Sequence, residues 1–387
     1  MEVLDMANDS GSKPMYEMIF HTLRERITNH EYKAGERVPS EKELCSEFGV
    51  SRITSKKALK MLADEHLIVR QPGRGSFVAD ANSLIMKPFD SQQTVRPAGK
   101  KRIIGLVITH FSDMYGTELI YGMEEASREN DAFLIVRRSF GIPELEEQAI
   151  QQLLGLGVDG LIIFPAQGEY FSAEILKLVI QKFPFVMIDR YLKGIPASSV
   201  STDNIQAAKE ATHYLFGLGH RHIGFLAPPP ANTTAIEERI DGILEAHMEH
   251  NLLANRELWM ETITSTMPNV FDPEARISDV DKLVEHLRKY PQITALFAAE
   301  YSIALLVEEA AGKLGLRIPE DLSLICFDSP ESYEGCRVTH MRQNQFSIGK
   351  QAYENVFTMH GNEQPISRIL LPAELIKGKS TAPVRKD

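Results

Sequence analysis

Apolar residues Met15, Ile19, Leu23 and Ile27 recur every four positions, the spacing of one face of an α-helix. A break follows at Lys33-Ala34-Gly35-Glu36. Ser40 then stands three residues before Glu43, the capping-box pattern in which hydroxyl and carboxylate satisfy otherwise free helix N–H groups. This predicts a second helix over about residues 41–48, stopped by Gly49. Ser51 caps a third, running to about Glu65 with Ala58, Leu59 and Leu62 facing inward. Residues 67–71 and 76–78 read as two strands around Pro72-Gly73-Arg74-Gly75, whose glycines allow a tight turn that pushes Arg74 outward.

Residues 80–101 contain Lys87-Pro88, Arg96-Pro97 and Gly99 without an apolar period, and they read as a linker between a unit at 13–79 and a second at 102–387. From Arg102 the pattern changes. Strand-like apolar runs at 103–108, 133–136, 160–164, 185–188, 223–226, 295–297 and 322–326 alternate with helical stretches such as 116–129, 142–156 and 207–218. That alternation predicts an α/β domain of parallel sheets flanked by helices. Its size suits two lobes around a cleft, one of about 102–201 plus 345–359 and the other of about 202–341 plus 360–387. Ligands of such sheets bind beyond the carboxyl ends of the strands.

Hydrophobic residues at 43% and charged residues at 25% of 387 exclude wholesale disorder. No apolar run reaches the roughly 18–20 residues of a membrane span, and MEVLDMANDSGSK lacks the basic and apolar regions of a secretory signal. Cys45, Cys326 and Cys336 form no CxxC pair, which argues against a disulfide framework or zinc ribbon and for a reducing cytoplasm. The formal net charge of −11 taken alone opposes a nucleic-acid partner. Charge is unevenly spread, however. Between residues 52 and 77, Arg52, Lys56, Lys57, Lys60, Arg70 and Arg74 face only Asp64 and Glu65.

A basic patch on two short helices joined by a tight turn suits a helix-turn-helix that reads DNA. The first turn of the third helix would enter the major groove, where Arg52 reaches guanine O6 and N7. Lys42, Lys56 and Lys57 would neutralise phosphates, and Arg74 would probe the neighbouring minor groove or backbone. The segments Gly35–Leu44, Phe48–Thr54 and Gly73–Val78 resemble the GntR-family winged helix-turn-helix, which typically reads PSE-x-E-L, F-G-V-S-R-x-T and G-x-G-T-F-V. The resemblance implies DNA contacts by Ser40, Lys42, Ser51, Arg52, Thr54, Lys56 and Gly73. One departure is Ser55-Lys56 where the family has Val-Arg, which keeps the cation and removes some packing.

No strong signature of catalysis emerges. Gly155-Leu156-Gly157-Val158-Asp159-Gly160 fits GxGxxG, but a helix precedes it and a strand follows, the reverse of a dinucleotide site. His213, His220 and His222 lack a fourth ligand at metal spacing and read as packing or surface residues. With no GxSxG, HExxH or phosphate loop, the sequence implies neither an enzyme nor a metal or cofactor.

The second domain resembles the LacI/GalR-family effector domain, with the fold of periplasmic sugar-binding proteins. Its landmarks are Met187-Ile188-Asp189-Arg190, Thr202-Asp203-Asn204, Leu218-Gly219-His220-Arg221-His222-Ile223, Arg239-Ile240-Asp241-Gly242 and Ile318-Pro319-Glu320-Asp321-Leu322-Ser323. Joined to a GntR-type reader, this resembles the arabinose-responsive AraR-type regulators. The resemblance implies an effector site of Asp113, Tyr115, Arg190, Arg239, Asp328 and Gln343. Glu300-Tyr301 stands where the family usually has Asn-Asp, so Glu300 supplies the carboxylate from one position earlier or the ligand differs from arabinose. Also implied are a homodimer on an imperfectly palindromic DNA operator, and repression released by a small sugar. A sugar-binding protein without a transcriptional role, or a regulator answering to a sugar phosphate or nucleoside, are the alternatives.

Overall fold

Ile19, Leu23 and Ile27 share the buried face of α1 (Met15–Thr28), as their spacing predicts, while Met15 is exposed and Phe20 completes that face. The structure is a computed structural model describing residues 15–29, 31–33, 35–64, 67–71, 75–78, 101–167, 172–231, 233–270, 272–330, 337–359 and 366–385. These fall into two units. In the first, α1 is followed by β1 (Arg37–Val38), α2 (Glu41–Phe48), α3 (Arg52–Asp64), β2 (Ile68–Gln71) and β3 (Gly75–Val78). The capping box forms as expected. Glu43 N donates to Ser40 Oγ at 3.3 Å and Ser40 N to Glu43 Oε2 at 2.6 Å. Gly49, left-handed at φ +63°, ends α2 and makes the turn into α3. Strand β3 lies between β1 and β2, antiparallel to both. Gly73 and Arg74, residues 80–100 of the expected linker, and Cys336 lie outside the described residues.

The second unit holds two lobes. The first lobe is built on β4 (Ile103–Ile108), β5 (Phe133–Arg138), β6 (Gly160–Ile163), β7 (Phe185–Ile188), β8 (Ser198–Thr202) and β13 (Arg368–Leu371). They pair in parallel in the order β5-β4-β6-β7-β8-β13. Alternate side chains serve opposite faces, as the two-residue period of a strand requires. Ile104, Leu106, Ile162 and Val186 pack against α4 (Thr117–Glu129) and α11 (Gln345–Thr358). Val107, Leu161, Ile163 and Met187 pack against α5 (Pro143–Leu156) and α6 (Ala173–Ile180). Helices α4 and α11 cross at Gly122 and Gly349, where a Cβ would stand 2.0 Å from the carbonyl oxygens of Phe346 and Leu119.

The second lobe contains α7 (Asn204–Gly217), β9 (Ile223–Leu226), α8 (Thr234–Glu249), α9 (Pro273–Lys289), β10 (Ala295–Ala298), α10 (Tyr301–Leu314), β11 (Ser323–Phe327), β12 (Thr339–Arg342) and β14 (Glu374–Ile376). Its sheet runs β9-β10-β11-β12-β14, parallel except for β14. One expectation needs correction. Residues 368–371 belong to the first lobe, because β13 pairs with β8 and Ile369 and Leu371 pack on that lobe's core. The chain therefore passes between lobes three times, at 202–204, 342–345 and 371–374. The GxGxxG segment is a helix stop, with Gly157 left-handed at φ +82° after α5 and Gly160 opening β6.

Candidate functional site

On the first unit, Lys42, Ser51, Arg52, Lys56, Lys57 and Lys60 are exposed; Ser51 precedes α3 and the last four line its outer side. Lys42, Arg52, Lys56 and Lys60 make no ion pair among the described residues, so four cations of α2 and α3 remain available to an anionic partner. Lys57 is partly engaged, its Nζ lying 3.5 Å from the Tyr16 ring centroid. Ser40 is committed to its cap, and Ser51 Oγ accepts from Thr54 N at 3.3 Å while lying 2.9 Å from Thr54 Oγ1. The Ser55 departure is compensated. Its fully buried hydroxyl donates to Arg52 O at 3.1 Å and lies 3.3 Å from Cys45 Sγ, which ties α3 to α2.

In the second unit a cleft of about 440 Å³ opens between the lobes, at the carboxyl ends of the strands. Asp189 follows β7 and Asp328 follows β11, at φ +67° and +54°. Aspartate tolerates this left-handed conformation better than most residues, so each turns its carboxylate off a strand end. Tyr115 Oη donates to Asp189 Oδ1 at 2.5 Å, and burial followed by that carboxylate raises the phenol pKa well above its ordinary value. Arg190 stacks 4.8 Å from the Phe164 centroid with Nε 3.5 Å from Asp189 Oδ2. Arg239 stacks 3.6 Å from the Phe327 centroid, donating through Nε to Asn204 Oδ1 at 2.9 Å and through a terminal nitrogen to Ala299 O at 2.5 Å. Burial lowers the pKa of Arg239, and Asp189 and Asp328 oppose that shift. Burial raises Asp328 to about 6, although Gln343 Nε2 donates to its Oδ2 at 2.6 Å and Gln345 Nε2 to its Oδ1 at 3.3 Å.

Behind this wall, Glu146 of α5 accepts from Ala166 N at 2.5 Å and so holds the segment that carries Phe164 and Gln167. Burial raises its carboxyl to about 7 against the pull of that bond and of Arg190.

Tyr115, Arg190, Arg239, Glu300, Tyr301, Asp328 and Gln343 all line the cleft. Asp113 does not. Ser112 N donates to Tyr115 O at 2.8 Å, and Asp113 sits exposed at the tip of the loop so closed. Reading the sequence missed the two stacking rings, Phe164 and Phe327, and Asp189. Only Asp189 carried a signal, as the neighbour of Arg190. Among the described residues, five lining atoms are shut from solvent without a hydrogen bond: Arg190 Nε, Thr233 Oγ1, Ser265 Oγ, Thr266 Oγ1 and Glu300 Oε1. Each such atom costs about 1–3 kcal/mol until it is satisfied. Facing one cleft, they ask for a ligand that both donates and accepts. The clustered histidines do unrelated work: His220 Nδ1 lies 2.9 Å from Thr294 Oγ1, and His213 Nδ1 lies 3.0 Å from His250 Nε2.

Residues 15–78 match the GntR family of bacterial regulatory proteins, and residues 212–381 match the periplasmic binding protein-like domain. The chain joins a GntR-type helix-turn-helix to a periplasmic-binding-protein-like domain. It is a DNA-binding transcriptional regulator. The regulator is 27% identical over 379 residues to the arabinose metabolism transcriptional repressor of Geobacillus stearothermophilus, covering 95% of this chain and 98% of that one. It is 26% identical over 295 residues to the repressor of the same name from Halalkalibacterium halodurans, covering 76% and 74%. A LacI-family regulator from Enterococcus faecium, solved with bound ribose, shares the fold at a TM-score of 0.59 and 22% identity, over 73% of this chain and all of that one. Among the described residues no helix is long and apolar enough to cross a membrane.

Proposed function

We propose that the regulator represses carbohydrate-utilisation genes and releases its operator when a neutral sugar fills the cleft. The observation that carries this reading is the cleft lining. Among the described residues it holds three guanidiniums, of Arg138, Arg190 and Arg239, against three carboxylates, of Asp189, Asp328 and Glu300. Balanced charge gives no net attraction to a phosphate. Fixed donors and acceptors beside aromatic faces suit a ring that offers hydroxyls on its rim and C–H groups on its face. The names of two relatives point to arabinose metabolism. Arg52, Lys42 and Lys56 are the cations offered to DNA, and Ser40, Ser51, Thr54, Lys57, Gly73 and Arg74 complete the proposed interface. Two copies would occupy the half-sites of an imperfect palindrome. A protein that acts on chromosomal operators of this kind works in the cytoplasm.

Release requires the sugar to bind one arrangement of the domain better than another, and to bind it where DNA is held less well. Thermal unfolding of the whole chain with free pentoses, hexoses, their phosphates and nucleosides tests the ligand class. At 100 times its dissociation constant a ligand adds about 2.7 kcal/mol to stability. A shift with one free pentose supports the reading, and a shift only with phosphates or nucleosides replaces the ligand. A gel shift with the selected operator then tests the sign, since a complex tightened by sugar rules out release.

A further inference from the structure

Ile53 is 81% exposed, the most exposed large apolar side chain among the described residues of the first unit, where Met15, Met18 and Val69 stand at 41%, 44% and 48%. It is the second residue of α3 and takes no part in the core formed by Ile19, Leu44, Leu59 and Ile68. A β-branched residue on an exposed helix position loses some helix propensity and here gains no packing in return. Its surroundings are polar as well. Lys56 and Lys57 lie three and four positions on, which places them beside it on the same helix face, and Arg52 precedes it. The hydroxyls of the same turn are occupied, because Ser51 and Thr54 bond to each other. The outward groups left in this turn are the Arg52 guanidinium and the Ile53 side chain.

An apolar side chain ringed by cations is poorly suited to a hydrophobic protein surface. It suits a partner whose rim is anionic and whose floor carries one apolar group. In the major groove of unmodified DNA that group is the C5-methyl of thymine. We infer that Ile53 reads a thymine methyl, within about two base pairs of the base met by Arg52. The inference rests on α3 being the element that enters the groove. Arg52 supplies polar discrimination there and Ile53 supplies apolar discrimination.

Deoxyuridine in place of thymidine removes that methyl and nothing else, which makes the test direct. The site preferred by the full chain is first selected from a random duplex pool. Each thymine of the selected site is then replaced in turn, and binding is measured for the wild type and for Ile53→Ala. The expected result is a loss of about fourfold at one position of each half-site for the wild type. For Ile53→Ala the thymine and uracil duplexes should bind equally. An unchanged melting temperature shows that the exposed substitution leaves the fold intact. A site with no methyl-sensitive position, or an Ile53→Ala protein that keeps the same penalty, overturns the inference while leaving DNA reading in place. Failure to select any sequence overturns α3 as the reader, and the inference with it.

Discussion

Tyr115 and Asp189 stand 74 positions apart in the chain and meet at the cleft, Tyr115 Oη donating to Asp189 Oδ1 at 2.5 Å. The second oxygen of Asp189 lies 3.5 Å from Arg190 Nε, and Arg190 in turn rests on Phe164. One phenol therefore orients a carboxylate, a guanidinium and a ring. Tyr115→Phe removes that donor with little change of shape. It should lower the stability of the effector domain by about 1–3 kcal/mol in denaturant unfolding. The stabilisation by sugar should shrink as well, with operator affinity in the absence of sugar unchanged.

Effector affinity should fall in acid. Asp328 is raised from 3.8 to about 6 in the folded protein, so its contribution to stability is full below pH 4 and lost as pH rises through 6. A sugar hydroxyl that donates to the ionised carboxylate needs that proton gone. Only about a tenth of molecules carry the ionised form one pH unit below the pKa. Calorimetric titration at pH 5 should therefore give a dissociation constant about tenfold weaker than the plateau above pH 7. Asp328→Asn should bind weakly at every pH and lose this profile.

Glu146 gives the opposite experiment, because there the charge is a burden on the fold. Its carboxyl is raised from 4.5 to about 7, so its contribution is full below pH 4.5 and lost as pH rises through 7. Glu146→Gln keeps an oxygen for Ala166 N and cannot ionise. The variant should match the wild type at pH 4.5 and exceed it by about 2–3 kcal/mol at pH 8. Thermal unfolding across that range reads the difference.

Ser40 has one role in view and a second proposed. Ser40→Ala removes the cap of α2 and should cost about 1 kcal/mol, read as faster hydrogen exchange of the α2 amides. Ser40→Asp restores the cap and adds a negative charge. If Ser40 also meets a phosphate, the aspartate variant regains protection yet binds operator more weakly than the alanine variant. Equal operator affinity of the two would remove Ser40 from the interface.

What could be read from the sequence was mostly local. The face of α1, the Ser40–Glu43 box and the reversed GxGxxG depend on neighbours within a turn or two, and each forms as its spacing requires. Arg190 and Arg239 were legible through resemblance. Their stacking partners Phe164 and Phe327 were not, because nothing near either ring tells a strand-end aromatic in the core from one facing a cleft. Asp113 failed for a related reason. One loop holds Tyr115 inward and Asp113 outward, and adjacent residues of like polarity do not reveal which way each points. Strand β13 is four residues with half-exposed sides, and only pairing with β8 decides which sheet receives it.

The three passages of chain between the lobes lie side by side. Thr202 Oγ1 donates to Gln343 Oε1 at 2.6 Å across the first two, and Asp203 N donates to Leu371 O at 2.8 Å across the first and third. One strap between two bodies permits twist, bend and slide, whereas three laced together leave little beyond rotation about the line they share. Gln343 sits on that line and also grips Asp328 in the wall of the cleft. Wall and pivot thus have an amide in common, and whatever settles against Asp328 loads the axle itself, with no lever in between.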